Sequence, residues 1–171
     1  NLFSAILLLT EEERLRIKIN ILGSGSEWFK NYSDKEKNIL ESVVKFYGKL
    51  PYPDVKNYIV NSDFTILLRP NLRYANAGFP TKVGESMACG TPVISNITSD
   101  LNKCIIEGKT GIICEDETPI SCVKALREAL KFKNDELRHM REETKKMAYC
   151  FFDISVYKAN YMSYLNKIAS R

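Results

Sequence analysis

The chain has 171 residues, 44% of them hydrophobic, which is enough to bury the core of a single domain without disulfide or metal staples. Its 25 basic and 21 acidic side chains are interleaved and leave +4, so neither a nucleic-acid arm nor an acidic tail stands out, and a mild preference for anionic ligands is all the charge supports. Five cysteines without a C-x-x-C exclude a disulfide framework and a zinc site and suit a reducing cytosol; the apolar run Ala5 to Leu9 is too short to cross a bilayer.

The opening "NLFSAILLLTEEERL" has a helical pattern with Leu2, Ile6 and Leu9 on one face, and it reads as the interior of something longer. Short β-rich runs then alternate with helical stretches: 17–22, 43–47, 64–68, 92–95 and 111–114. Strands spaced this way need crossover connections, so the expected class is α/β, a Rossmann-like doubly wound parallel sheet. After Cys114 the pattern turns to consecutive helices over 118–132, 134–151 and 153–170. Thr118, Asn134 and Asp153 are their expected N-caps, with Pro119 at a first helical position. Glu142 is expected to pair with Lys146, and Leu137, Met140 and Met147 to face inward. Tyr157, Tyr161, Tyr164, Leu165 and Ile168 form a stripe on the last helix, read as packing against this chain or against a further domain. The expected division is a Rossmann-like domain over 1–152, without its first strand, and a terminal helix over 153–171.

Open α/β sheets bind ligands beyond the carboxyl ends of their strands. "GSGSEW" follows the first strand there, but Trp28 stands where a dinucleotide fingerprint has its third glycine. Gly23, Ser24 and Gly25 either turn the chain or bring bare backbone to a ligand. Pro51 and Pro53 end pairing after the second strand, leaving Gly48, Lys49 and Leu50 as an open edge for a flat base or as a plain connection.

"GFPTKVGESMACGTPVIS" (78–95) is the most informative stretch. Gly78 permits a tight or left-handed turn, Pro80 presets the start of a helix, and Gly90 permits a left-handed exit. The free amides of the first turn favour an anion such as a diphosphate, with Thr81 and Lys82 adding a hydroxyl and a cation. Glu85, one turn in, can accept two hydrogen bonds from vicinal hydroxyls such as those of a ribose, or pair with Lys82. His139, alone on a charged helix, reads as a surface residue, and Cys89 as a small buried one.

This stretch resembles the donor-binding segment of the GT-B glycosyltransferases of the glycogen synthase and mannosyltransferase-like group, the "glycosyl transferases group 1" of family 4 type. "INILGSG", "VKFYGKLPYPDVKNYIVNSDFTILLRP" and "IIEGKTGIICED" extend the likeness over most of the chain. The resemblance implies the carboxyl-terminal half of a two-domain enzyme that binds a UDP- or GDP-linked sugar and needs no further cofactor and no metal. Its products would be glycans or bacterial surface polysaccharide, made by retaining transfer. Glu85 would hold the ribose, Gly78, Phe79, Pro80 and Thr81 would supply backbone to sugar and diphosphate, Gly23, Ser24 and Gly25 would approach the donor, and Gly48, Lys49 and Leu50 would flank the base.

Two departures from the family matter. Position 77, eight before Glu85, is alanine where the E-x7-E pattern has its first glutamate, and Asn76 is the nearest substitute beside a catalytic Lys82. The family's diphosphate-binding arginine and lysine precede the helix that opens this chain, leaving Arg69, Arg73 and Lys82 as local cations. A glycan or lipid-linked acceptor would reach the cleft through an amino-terminal domain, with no nucleic-acid partner. The location implied is the cytoplasm, with peripheral contact of the whole protein at the inner face of a membrane. Alternatives are an epimerase or phosphorylase of the same architecture, or a binding module that has lost catalysis.

Overall fold

The computed structural model describes residues 1–169 and places the five expected strands in two parallel half-sheets. In chain order the elements are α1 (Leu2–Leu8), α2 (Glu11–Leu15), β1 (Ile19–Ile21), α3 (Asp34–Val43), β2 (Val44–Phe46), α4 (Tyr52–Val60), β3 (Thr65–Leu67), α5 (Arg73–Asn76), α6 (Thr81–Ala88), β4 (Val93–Asn96), β5 (Gly111–Cys114), α7 (Pro119–Ala129), α8 (Asn134–Phe152) and α9 (Ile154–Ala169). β1 pairs with β2 from Ile19 opposite Val44 to Ile21 opposite Phe46. β3, β4 and β5 pair in that order, with Val93 opposite both Thr65 and Gly111.

The opening helical pattern is two helices. Leu9 turns extended, and Thr10 starts α2 with a capping box, its Oγ1 accepting from the Glu13 amide at 3.2 Å while Glu13 Oε2 accepts from the Thr10 amide at 2.8 Å. Ser33 and Glu36 start α3 in the same way.

β4 is buried at all four residues because helices cover both of its faces. Ile94 packs with Ala5, Leu9, Ile112 and Leu126 beneath α1 and α7. Val93 packs with Val83, Met87, Leu101 and Ala148 beneath α6 and α8. A third cluster, Ile6, Ile19, Phe29, Leu40, Val43 and Val44, fills the space under α1 and α3. There Phe29 meets Phe46 and Phe3 edge to face at 5.0 and 5.1 Å, the orientation that ring quadrupoles favour. Each fully buried side chain of Ile6 size contributes about 1.5–3 kcal/mol relative to leaving it in water.

Thr118 caps α7 as expected, accepting from the Ser121 amide, and Asp153 Oδ1 accepts from the Ser155 amide at the start of α9. α8 departs from expectation in two details. Its cap position is Lys133 rather than Asn134. Lys146 pairs with Glu143, at 2.7 Å, rather than with Glu142, because Glu143 also takes Lys109 at 3.2 Å from the turn before β5. Hydrogen bonds from Lys146 and Lys109 hold the Glu143 carboxyl below its ordinary range.

Met140 is buried, and Leu137 and Met147 are half-buried. The α9 stripe is largely exposed: Tyr157, Tyr161 and Tyr164 are 47%, 62% and 61% exposed, no described residue of the helix is buried, and the Tyr157 hydroxyl donates to the Phe151 carbonyl at 2.9 Å. Ser170 and Arg171, at the end of the expected helix and domain, lie outside the described residues. Cys104, Cys114 and Cys122 are buried, and burial pushes their thiols up to about 11, 12 and 11, which makes them inert. Cys89 is half-buried at the end of α6 rather than enclosed.

Candidate functional site

Parallel pairing puts the loops that leave β1 and β2 at one end of their half-sheet and those that leave β3 and β4 at one end of theirs. Gly23 and Gly48 both adopt left-handed backbone, with φ of 89° and 64°, and open space surrounds the point where either would carry a Cβ. The Gly23 amide donates to the Gly48 carbonyl at 2.6 Å, so the turns after β1 and β2 are stitched into one ledge. Gly25 is different. Its backbone is extended and its amide is taken by Glu27 Oε1 at 3.2 Å, which, with the Glu27 amide, holds that carboxyl below its ordinary range.

The loop after β3 is tied down by side chains. Asn96, at the end of β4, accepts from the Arg69 amide at 2.9 Å and donates to the Arg69 carbonyl at 2.7 Å, extending the ladder by one residue. Arg69 Nη1 donates to the Gly78 carbonyl at 3.3 Å. Asn76 is fully committed: its Nδ2 donates to Asn71 Oδ1 and the Leu72 carbonyl, and its Oδ1 accepts from the amide of Ser99, which sits at φ 54°. It therefore pins the loop after β4 to α5. Phe79 is anchored against Phe152 with ring centroids 5.4 Å apart. Of the two turns open to Gly78 the left-handed one is not used, since its φ is not positive, while Gly90 makes the expected left-handed exit from α6 at 73°.

α6 begins after Pro80 without a side-chain cap, and Thr81, Lys82 and Glu85 are exposed. Among the described residues Glu85 makes no ion pair with Lys82 or any other cation, so its carboxylate is open to a ligand. Lys82 and Glu85 face the same space as Gly23, Lys49 and Leu50: all five line one cleft of about 1010 Å³. Ser24, Gly25, Gly48, Asn76, Gly78, Phe79, Pro80 and Thr81 do not line it.

The cleft also takes in Asn20 and, from α4, Val55, Tyr58 and Ile59, which had not been read as site residues. Spacing at i, i+3 and i+4 marks those three as one helix face, a pattern visible in the sequence. The Tyr58 ring lies tilted against that of Tyr47 with centroids 4.6 Å apart, and Lys45 lies 5.0 Å above the Tyr47 ring. Desolvation, and then Tyr47, push the Tyr58 phenol upward, so it stays a neutral donor at physiological pH. The assembly offers the Lys82 cation to an anion, a free carboxylate one turn further in at Glu85, and one end of the stitched backbone ledge at Gly23.

Two uncharacterized glycosyltransferases of Methanocaldococcus jannaschii, MJ1178 and MJ1069, are 24% and 20% identical over 140 and 146 residues. Those stretches cover 82% and 85% of this chain but only 38% and 36% of the relatives, so the chain spans well under half their length. Among solved structures, Anabaena HepE in complex with UDP superposes with a TM-score of 0.68 at 14% identity, covering 97% of this chain and 44% of that one. Pneumococcal O-GlcNAc transferase GtfA, in complex with UDP and GlcNAc, gives 0.70 at 13% identity, over 99% of this chain and 32% of that one. These likenesses establish the Rossmann-like half of a GT-B fold. The family model described as "Glycosyl transferases group 1" matches residues 1–147, and the chain belongs to that family.

Proposed function

We propose that this chain is the donor half of a glycosyltransferase, binding a nucleotide-sugar so that its sugar passes to an acceptor hydroxyl presented by a second domain. The observation that carries this reading is the convergence of Lys82, Glu85, Gly23, Lys49 and Leu50 on one cleft at the carboxyl edge of the sheet. In this reading Glu85 accepts hydrogen bonds from the ribose hydroxyls. Lys82 and the amides at the start of α6 receive the diphosphate as the bond from the anomeric carbon to its oxygen breaks. Gly48 to Leu50 flank the base. Stabilising charge that develops on the leaving diphosphate is the main catalytic contribution of such a site, because the donors are already in place. Retaining, metal-independent transfer into glycan or surface polysaccharide, in the cytoplasm and with peripheral membrane contact of the whole protein, follows from the resemblance. No described helix is long and apolar enough to cross a membrane.

One observation favours a second reading, a nucleotide-sugar-binding module without turnover. Ala77 replaces the glutamate of the family pattern, and the neighbouring Asn76 spends its amide on the fold. The deciding experiment titrates isotopically labelled protein with UDP, GDP and ADP, in wild type and Glu85→Ala, followed by donor hydrolysis and transfer assays of a two-domain form. Amide shifts gathered at 23–25, 48–50 and 78–85 for one nucleotide, weakened in the variant, are expected and name the base. Site-specific binding without hydrolysis or transfer favours the inactive module, and shifts scattered elsewhere overturn the donor site.

A further inference from the structure

The buried face of α6 is Val83, Ser86 and Met87, at i, i+3 and i+4, and Ser86 is its one polar member. Alanine is the better helix former and would fit the same place, so the stability of the helix does not by itself call for serine. What the hydroxyl adds is direction. Apolar burial is non-directional, whereas a hydrogen bond weakens steeply as its angle closes.

Ser86 and Thr91 are both 0% exposed and exchange two hydrogen bonds across the turn that ends α6. The Thr91 amide donates to the Ser86 carbonyl at 3.0 Å, and Ser86 Oγ donates to the Thr91 carbonyl at 2.9 Å. A hydroxyl has one proton. With that of Ser86 spent on Thr91, the 2.6 Å contact between Thr65 Oγ1 of β3 and Ser86 Oγ has Thr65 as its donor. Thr91 Oγ1 donates in turn to the Ile59 carbonyl of α4 at 2.7 Å, one of the terminal carbonyls a helix cannot pair within itself, which the Ser62 amide also reaches at 3.2 Å. Three hydroxyls thus run as one chain from β3 through α6 to α4. Each of these elements walls the cleft: Thr65 lines it, Glu85 lines it next to Ser86, and Tyr58 lines it next to Ile59. α6 has no side-chain cap at its other end.

We propose that the buried hydroxyl chain of Thr65, Ser86 and Thr91 fixes the rotation of α6 and so places the Glu85 carboxylate in the cleft, with Ser86 as the central positioning residue. The inference rests on the reading of Glu85 as the acceptor for ribose hydroxyls. Ser86 is fully buried and does not reach the ligand, so it acts through its neighbour. Without the hydroxyls α6 keeps its apolar seat, but a rotation of about 10° carries a carboxylate at the roughly 5–6 Å outer radius of a helix sideways by about 1 Å. That displacement is enough to spoil a pair of hydrogen bonds to one ligand.

The test is NMR titration with UDP, GDP and ADP of wild type, Ser86→Ala, Thr65→Val, Thr65→Ser, Glu85→Ala and the combination of Ser86→Ala with Glu85→Ala, with denaturant unfolding to show that each is folded. Thr65→Val keeps the shape and loses the donor, and Thr65→Ser keeps the donor. Affinity for the preferred nucleotide is expected to fall about three- to tenfold in Ser86→Ala and in Thr65→Val, the size of one net hydrogen bond, and to stay within about twofold of wild type in Thr65→Ser. In the Glu85→Ala background the effect of Ser86→Ala is expected to shrink below about twofold, because the group it positions is gone. Unchanged affinity in Ser86→Ala, or an equal loss with and without Glu85, overturns the positioning role while Glu85→Ala still weakens binding. Wild type that takes up none of the three nucleotides, or Glu85→Ala that binds as wild type does, overturns the donor reading itself and this inference with it.

Discussion

The two half-sheets are built from the same kind of strand and are covered differently. β4, central in the three-stranded half, is enclosed by α1 and α7 on one face and by α6 and α8 on the other, and every residue of it is buried. β1 and β2 have one enclosed face, closed by the aromatic cluster of Phe3, Phe29, Tyr32 and Phe46, while Lys45 is exposed and Asn20 is open to the cleft. No strand pairing joins the halves among the described residues, so α1 and the polar ties of α2 to α7 carry the connection. Local stability follows how fully a strand is covered and paired, so the three-stranded half is expected to be the stable unit and the two-stranded half the one that opens first.

The sharpest way to break that comparison is to empty the core of the weaker half. Phe29, 3% exposed and in edge-to-face contact with Phe3, Phe46 and Tyr32, is expected to cost about 3–5 kcal/mol as Phe29→Ala. Amides of 19–21 and 44–46 should then exchange faster while 93–96 keep their protection, as hydrogen exchange by NMR reads residue by residue. Uniform loss of protection would mean the halves are one cooperative unit. Met87→Ala, in the cluster under α6 and α8, is expected to cost about 2–5 kcal/mol and to lower the protection of β4 itself. Denaturant unfolding of both variants checks the two magnitudes.

Much of the fold was legible in the sequence, because strands buried on both faces announce themselves as apolar runs between helical patterns. Four of the five expected runs contain their strands and the fifth, 92–95, is one residue short of β4, Gly90 ends α6 as its position predicted, and Thr118 caps α7. Neighbours are what periodicity does not encode. Helical spacing pointed Lys146 to Glu142, whereas the structure pairs it with Glu143, a carboxylate that Lys109 also reaches from the turn before β5. Asn76 read as a polar group free for chemistry because its partner Ser99 lies 23 residues away. The expected lack of a first strand did not say where in the sheet the gap would fall, since each edge has the same composition whether or not another strand lies beside it. The site was half legible: glycine, lysine and glutamate placed it at the carboxyl edge, but Tyr58 and Asn20 joined it only through the packing of α4 and the strand break.

Glu85 sharpens the comparison from the side of function, since it stands on α6 in the stable half while Gly23 and Lys49 reach the cleft from the other. Glu85→Ala, at an exposed position, should change stability by no more than about 0.5 kcal/mol. Loss of hydrogen bonds to a carboxylate is expected to weaken nucleotide binding about tenfold or more. Calorimetric titration with the preferred nucleoside diphosphate reads this directly. A binding-competent chain in which Phe29→Ala weakens the ligand more than Glu85→Ala does would shift the weight of recognition to the ledge of the two-stranded half.

The smallest expected effect concerns the tie between the halves that is easiest to titrate. Glu13 of α2 takes Arg127 of α7 in a bidentate pair, Nε at 2.7 Å and Nη2 at 3.2 Å. The Arg127 hydrogen bond, then the Thr10 amide, lower its carboxyl from the ordinary 4.5 to about 2. A folded-state value below the unfolded one gives a stabilising contribution that is fully present above the ordinary value and lost as pH falls from 4.5 toward about 2. Glu13→Gln removes the charge while keeping a side chain that can reach the Thr10 amide, so the capping box survives the substitution. The difference in unfolding free energy between wild type and variant should therefore be constant near neutrality, shrink through that acid window and shrink again in high salt, because the pair is solvent-exposed. A difference that persisted below pH 2 would belong to the shape of the contact between α2 and α7 rather than to the charge of this pair.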